Sequence, residues 1–280
     1  MSLCFFELEG DALLPQEVAQ SLWGTGQLHG VAVSGALARS AEAGLAEVGR
    51  TDLRPARYTV DLFRAARLEP CHLTSTVVRE SPRLCLVDTV LEQSGTAVAR
   101  ASTLFLKPTE PAPGEVWEPG GAFAPPPLDL APVGDEPRVP LFWSEDVGWE
   151  ASFGEHQNGS RKATWQTGVP VVGGEKPSPF VAVASIADAT SMVTNWGSGG
   201  VTHINTDITL TLARLPESLE VGLVALDRVS ADGLAVGTVS VFDRSGRIGS
   251  AMVSSMANAR RAVDFEENDF ADDPRARRGA

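Results

Sequence analysis

Cysteine is scarce in this chain. Its three residues, Cys4, Cys71 and Cys85, form no CxxC pair, and an odd number does not suit a disulfide framework, so a reducing compartment is expected. Histidine is nearly as rare. Among His29, His72, His156 and His203 no pair has the i, i+4 spacing of a helical metal site and no carboxylate cluster joins them, so no catalytic metal and no separate cofactor are expected. Positive charge is in deficit, with 23 Lys and Arg against 36 Asp and Glu and a formal charge of −13, which would repel a nucleic-acid backbone. A local group of arginines can still hold an anionic small molecule. Long apolar runs are missing as well: none approaches the roughly 20 residues of a membrane span. The opening MSLCFFELEG has neither a basic region nor a cleavage pattern, so no signal peptide and a cytoplasmic location are expected.

What is present is enough apolar material, 43% of 280 residues, for one large core or two smaller ones of about 100–150 residues each. Pro and Gly crowd the stretch KPTEPAPGEVWEPGGAFAPPPLDLAPVGDEPRVP, where both helical and strand periodicity vanish. The expected organisation is therefore a first domain over 1–110, a linker over 111–140, a second domain over 141–263 and a disordered charged tail over 264–280.

The two halves read alike. Helical character over His29–Val48 precedes four strand-like runs at 56–64, 73–79, 84–92 and 96–106. Helical character over 179–195 likewise precedes runs at 203–214, 219–227, 233–243 and 247–257. Spacing repeats with order: Arg64 lies 31 residues before the Ser-Gly turn at Gly95, and Arg214 lies 32 before the one at Gly246. A duplication offset by about 150 residues accounts for this, giving two copies facing each other as a pseudo-dimer. Turns as short as QSG and RSG require antiparallel pairing, and one long helix per half must pack on its sheet.

The stretch WGTGQLHGVAVSGALARSAE resembles a glycine-rich phosphate loop only superficially. Its spacing is GxGxxxG, no clear strand leads into it and no βαβ unit follows, so a dinucleotide site is excluded. Neither AVSGA nor GSGG supplies the GxSxG of a serine hydrolase.

Together with YTVDLFR, ASIADATS, INTDITLTLARLP and the hairpin DRSGRIGSAM, that stretch resembles the acyl-CoA thioesterase II family and its thioesterase-like relatives. The resemblance implies an α+β double hotdog fold, two tandem curved antiparallel sheets each wrapped around a central helix. It also implies hydrolysis of acyl-CoA thioesters, with coenzyme A entering as part of the substrate, and association into homodimers or larger assemblies. In the family, catalysis is attributed to an Asp in the second hotdog helix, a Thr or similar residue on the next strand and a Gln on the last. The matching positions here are Asp188, Asn205 and either Val253 or Ser254, so the Gln is absent. A non-hydrolytic acyl-CoA or lipid-binding protein is the alternative that this absence raises.

The residues can also be weighed by themselves. Asp188 falls at the margin of the apolar helix face formed by Phe180, Val183, Ala184, Ala187 and Ser191, where a partly desolvated carboxylate could deprotonate a water. Asn205 would hold that water or the substrate carbonyl, and Ser254 would replace part of the missing Gln. His29 and Gly30 stand at the start of the first helix, where His29 either caps the helix or lies beside N–H groups that receive the thioester oxygen. Arg64 and Arg214, at equivalent strand ends, either pair with acidic neighbours or contact coenzyme A phosphates. Trp143, Trp149 and Trp165 are expected to pack the second core.

Overall fold

A computed structural model describes residues 3–118 and 120–265. A short hairpin of β1 (Phe6–Glu9) and β2 (Ala12–Pro15) leads by a loop into α1 (Gly30–Glu47), followed by β3 (Arg54–Leu62), β4 (His72–Ser81), β5 (Leu84–Gln93) and β6 (Thr96–Leu106). The second half opens with β7 (Leu141–Ser144), β8 (Gly148–Glu150) and β9 (Lys162–Thr167). Then come α2 (Pro179–Ile186), a single 3-10 turn over Ala187–Ala189, and α3 (Thr190–Asn195). After the small hairpin β10 (Trp196–Gly197) and β11 (Gly200–Val201), β12 (His203–Asn205), β13 (Asp207–Leu212), β14 (Glu220–Ala231), β15 (Leu234–Asp243) and β16 (Gly246–Ala257) complete the order.

All the main strands lie in one 12-stranded sheet, with β3 paired antiparallel to β13 where the two halves meet. The arrangement is the expected α+β double hotdog, its sheets fused edge to edge. Short turns make the strands antiparallel; at Ser94-Gly95 both residues have positive φ, 49° and 71°, the turn geometry that matches the twist of a hairpin. The alternating burial of β5, with Cys85, Val87, Thr89 and Leu91 inward, lays one apolar face on α1. Small residues on α1 permit that approach. A side-chain carbon added at Gly44 would lie 3.1 Å from Ser75, and Ala36, Ala38 and Ala41 are buried.

The duplication is visible as one numerical offset. Thr59 pairs with Thr209 at the β3–β13 seam. Where α1 crosses α2, Ser34 Oγ donates 2.6 Å to the Ala184 carbonyl, 150 residues on, and Gly35 packs on Ser185. A Cβ at Gly35 would come within 2.7 Å of Ser185 Oγ, so glycine is required at the crossing. The hydroxyl of Tyr58, the chain's one tyrosine, donates to the Ser34 carbonyl at 2.7 Å.

The strands of β1–β2 and β7–β9 escape the periodicity reading. β1 gains its partners from far away: Phe5 and Phe6 N–H donate to the carbonyls of Pro170 and Val171 at 2.9 Å, which ties the amino-terminal segment to the second half. Between 107 and 140 the described residues form no helix or strand, yet the segment is not free of the fold. Phe123 stacks edge-on against Trp143, and Arg244 donates to the carbonyls of Ala131 and Pro126. Trp165 is buried and Trp143 and Trp149 flank Phe123, so these rings pack the second core's outer layer. Of the tail placed at 264–280, Asp264 and Phe265 are seated, with Phe265 buried; the remainder lies outside the described residues.

Arg214 is held within the fold. Its guanidinium grips both oxygens of the buried Asp243 at 2.6 and 2.7 Å. Burial pushes Asp243 upward, but Arg214 and the N–H groups of Glu217 and Ser245 outweigh it and hold the carboxyl below its usual range. Such a lowered value stabilises above the ordinary carboxylate pKa of about 4 and is lost as pH falls. Arg214→Ala is expected to cost about 1–3 kcal/mol, reduced from the fully buried case because Arg214 is 37% exposed. Thermal unfolding at pH 7 checks this.

Candidate active site

The helix carrying Asp188 is not continuous. Its hydrogen-bond pattern tightens to a 3-10 turn over Ala187–Ala189, between α2 and α3, and Asp188 is the middle residue of that turn. Its carboxylate faces a cavity of about 410 Å³, within the range of small-ligand sites. The cavity lies between the halves. One side is built by the loop around Val18 and Trp23 and by His29 and Val31 at the start of α1; the other by Ser185–Met192, Asn205 and the end of β9.

Gly30 is the first residue of α1 and lies directly against Asp188. A Cβ built there would sit 2.2 Å from Oδ1 and 2.5 Å from Oδ2, so only glycine allows the carboxylate this position. Asn205, at the end of β12, donates its Nδ2–H to Asp188 Oδ1 at 3.0 Å and also reaches the Asp207 carbonyl at 3.3 Å. Burial raises Asp188 and the Asn205 bond lowers it, the balance leaving the carboxyl at about 6. Thus Asp188, Asn205 and Gly30, far apart in sequence, are brought into contact.

His29 caps the helix, as one of the two sequence alternatives holds. Its Nδ1 accepts the Ala32 N–H at 2.9 Å and its Nε2 lies 2.9 Å from the Val18 carbonyl. A carbonyl only accepts, so this pairing assigns the ring proton to Nε2. His29 lines the cavity with its ring edge-on to Phe5. With Ala32 capped, Gly30 and Val31 retain the N–H groups that a helix's first turn cannot satisfy internally, and Val31 lines the cavity.

Three sequence candidates are not brought to this place. Ser254 is exposed, and its backbone carbonyl accepts from Thr206; the inward residues of β16 are Ile248, Ala251, Val253 and Ser255. Ser255 stands opposite Asn205 in the ladder, but its hydroxyl accepts from Asn195 at 3.2 Å. Arg64 is exposed beyond β3 and is not among the cavity's lining residues, and neither is Arg214, which is committed to Asp243. Sequence reasoning also missed much of the wall: Phe142, Phe153, Val263 and Phe265, contributed by separate segments, and Gln166 on β9, a buried polar residue whose strand showed no clear period.

The pseudo-symmetry would allow a second such site, and side chains fill it. At the offset of 150, Gly30 corresponds to Phe180 and Asp188 to Ala38. Phe180 is fully buried between the rings of Tyr58 and Phe105, at 5.7 and 6.1 Å. Among the described residues no helix is long and apolar enough to cross a membrane, and no group of three or more His, Cys, Asp and Glu could hold a metal ion.

Residues 19–106 match the family model of the acyl-CoA thioesterase N-terminal domain. The chain is similar to the tesB protein of Mycobacterium avium subspecies paratuberculosis, with 17% identity and a TM-score of 0.63 over 90% of this chain and 95% of that one. It is similar also to the acyl-CoA thioesterase II TesB2 of Mycobacterium marinum, at 14% identity and a TM-score of 0.59 over 90% and 93%. A conserved hot dog fold protein of unknown function from Alicyclobacillus acidocaldarius shares 15% identity and a TM-score of 0.62 over 90% and 94%. No curated protein matches. Residues 19–106 are thus similar to the acyl-CoA thioesterase N-terminal domain, and the chain as a whole shares the fold of these solved structures.

Proposed function

We propose that the protein hydrolyses acyl-CoA thioesters, with Asp188 as general base for the attacking water. The observation that carries this reading is a buried, cavity-facing carboxylate packed directly against Gly30 at the amino end of α1, with burial pushing its pKa up to about 6. Water bound to Asp188 transfers a proton to the carboxylate as its oxygen bonds to the thioester carbon. The carbonyl oxygen, gaining negative charge, receives N–H groups from the first turn of α1, where the helix dipole also favours an anion. The C–S bond then breaks, and the proton on Asp188 passes to the departing thiolate, leaving a free acid and coenzyme A. Asn205 orients the carboxylate and keeps its pKa low enough for it to be ionised at neutral pH. The apolar part of the cavity takes the acyl chain, and no cofactor or metal enters these steps.

Release of free thiol from a panel of acyl-CoAs, trapped by a chromogenic disulfide, tests the reading. Asn205→Ala is expected to lower kcat roughly 10- to 100-fold, as loss of a positioning hydrogen bond does. It also removes the one bond that lowers the Asp188 pKa, so the acidic limb of the pH–rate profile moves to higher pH. A profile that stays in place would remove Asn205 from the mechanism. The last strand has Val253 or Ser254, and no Gln, where the family has Gln, which favours a second reading, acyl-CoA binding without hydrolysis. Thermal stabilisation by acyl-CoA with no thiol released would decide for it.

A further inference from the structure

Beyond Ala257 the chain makes one helical turn and doubles back over the cavity. Val263 exchanges both backbone hydrogen bonds with Val201, at 2.9 and 3.1 Å, an antiparallel bridge alongside β11. Gly200 makes this fit possible: any Cβ there would stand 2.3 Å from the Val263 carbonyl oxygen. Gln157 then clamps the next two residues with its one amide group. Its Nδ-equivalent nitrogen, Nε2, donates to Asp264 Oδ1 at 2.9 Å, and its Oε1 accepts the Phe265 N–H at 2.9 Å.

The clamp seats the Phe265 ring, 4% exposed, against Trp196 at 4.7 Å and Phe153 at 5.2 Å. Phe142 completes the cluster, 4.3 Å from Phe153, and Phe142, Phe153, Val263 and Phe265 all line the cavity that Asp188 faces. These four side chains present only hydrocarbon to it, a surface suited to an alkyl chain and hostile to the phosphates of coenzyme A.

We infer that this carboxy-terminal strap is the chain-length stop of the cavity, with Phe265 as its end wall and Gln157 as the group that positions it. The inference rests on the reading of the cavity as an acyl site. Part of the cavity's wall comes from strand and helix, as at Val31, Phe142, Gln166, Ile186 and Met192, where a change of shape disturbs the core. The strap is different: beyond Ala257 it follows the last strand and lies outside the main sheet, so its residues can change while the fold remains. Truncating Phe265 opens the wall at that end, whereas enlarging it shortens the space.

The test measures two readouts on wild type, Phe265→Ala, Phe265→Trp and Gln157→Ala. One is kcat/KM across saturated acyl-CoAs from butyryl to palmitoyl. The other is binding of the corresponding free fatty acids by calorimetry, which needs no hydrolysis. Phe265→Ala and Gln157→Ala are expected to raise the preference for long over short chains ~10-fold or more, within the range that a few methylenes command in an apolar pocket. Phe265→Trp is expected to shift it the other way, and opposed shifts from two substitutions at one position exclude general loosening. Gln157 does not line the cavity, so its effect reads the clamp alone. A shift in fatty-acid binding without thiol release in any variant keeps the strap and sinks hydrolysis. Hydrolysis with the same chain-length profile in all four proteins overturns the strap, as does absence of both binding and turnover.

Discussion

Asp188→Asn is expected to lower thiol release from acyl-CoA by about 10²- to 10⁴-fold at pH 7, the usual contribution of a general base, and to make the protein more stable at that pH. The two effects have one cause. Asp188 titrates at about 6 in the fold against an ordinary value of 3.8, so the folded state retains a proton that the unfolded chain gives up. The contribution of Asp188 to stability is therefore greatest below about pH 4 and is lost as pH rises to about 6, a change on the order of 2–3 kcal/mol. Asparagine has nearly the same shape and carries no charge to desolvate, so the variant escapes that fall. Melting curves of the two proteins should converge near pH 4 and separate above pH 6, with the variant higher. In wild type, kcat/KM should rise with pH through an apparent pKa near 6. A variant that is no more stable at pH 7, or that retains full turnover, would show that Asp188 is a solvated bystander.

Gly30→Ala tests the same site from the facing helix. The backbone at Gly30 is ordinary helix, and alanine there would by propensity alone favour the helix by about 1 kcal/mol. The side chain, however, has nowhere to go: its methyl would lie 2.2 Å from one carboxylate oxygen and 2.4 Å from Cγ of Asp188. Either Asp188 turns away or α1 and the 3-10 turn separate, and a displacement of about 1 Å in a reacting group can cost 10²-fold in rate. Turnover is accordingly expected to drop about 10²-fold while the cooperative melt survives. Gly159→Ala, where an added Cβ meets nothing within 4 Å, serves as the control and should leave turnover unchanged. Wild-type rates in Gly30→Ala would mean that the contact between α1 and Asp188 has no part in the reaction.

The fold was legible because its signals were local and repeated. Both sets of strand runs alternate, both are joined by short turns, and the spacing from Arg64 and from Arg214 to the next Ser-Gly turn nearly agrees. Asp188 was legible for a related reason, as the one carboxylate at the edge of an apolar helix face. The last strand was not. RIGSAMVSSMA has serines on adjacent positions and small residues on both faces, so nothing in it reveals which parity points inward. Pairing with β13 and β15 settles that Ala251, Val253 and Ser255 are inside, and Ser254 falls outside by one residue. The two arginines illustrate the same limit. They are equivalent in sequence, but only Arg214 meets an Asp243, across 29 residues of chain.

The sequence by itself therefore determined the antiparallel strands, the helical segment ahead of each set of runs, the 150-residue offset and the candidacy of Asp188, since all of these follow from periodicity, turn chemistry and composition within short windows. Only the tertiary structure decided what surrounds the carboxylate. Gly30 from α1, Asn205 from β12 and the 3-10 turn beneath Asp188 meet because two domains dock across the β3–β13 seam. The aromatic cluster beside the cavity draws Phe142, Phe153, Trp196 and Phe265 from four separate segments in the same way. Contacts of that range depend on how whole elements pack, and no window of neighbouring residues contains them.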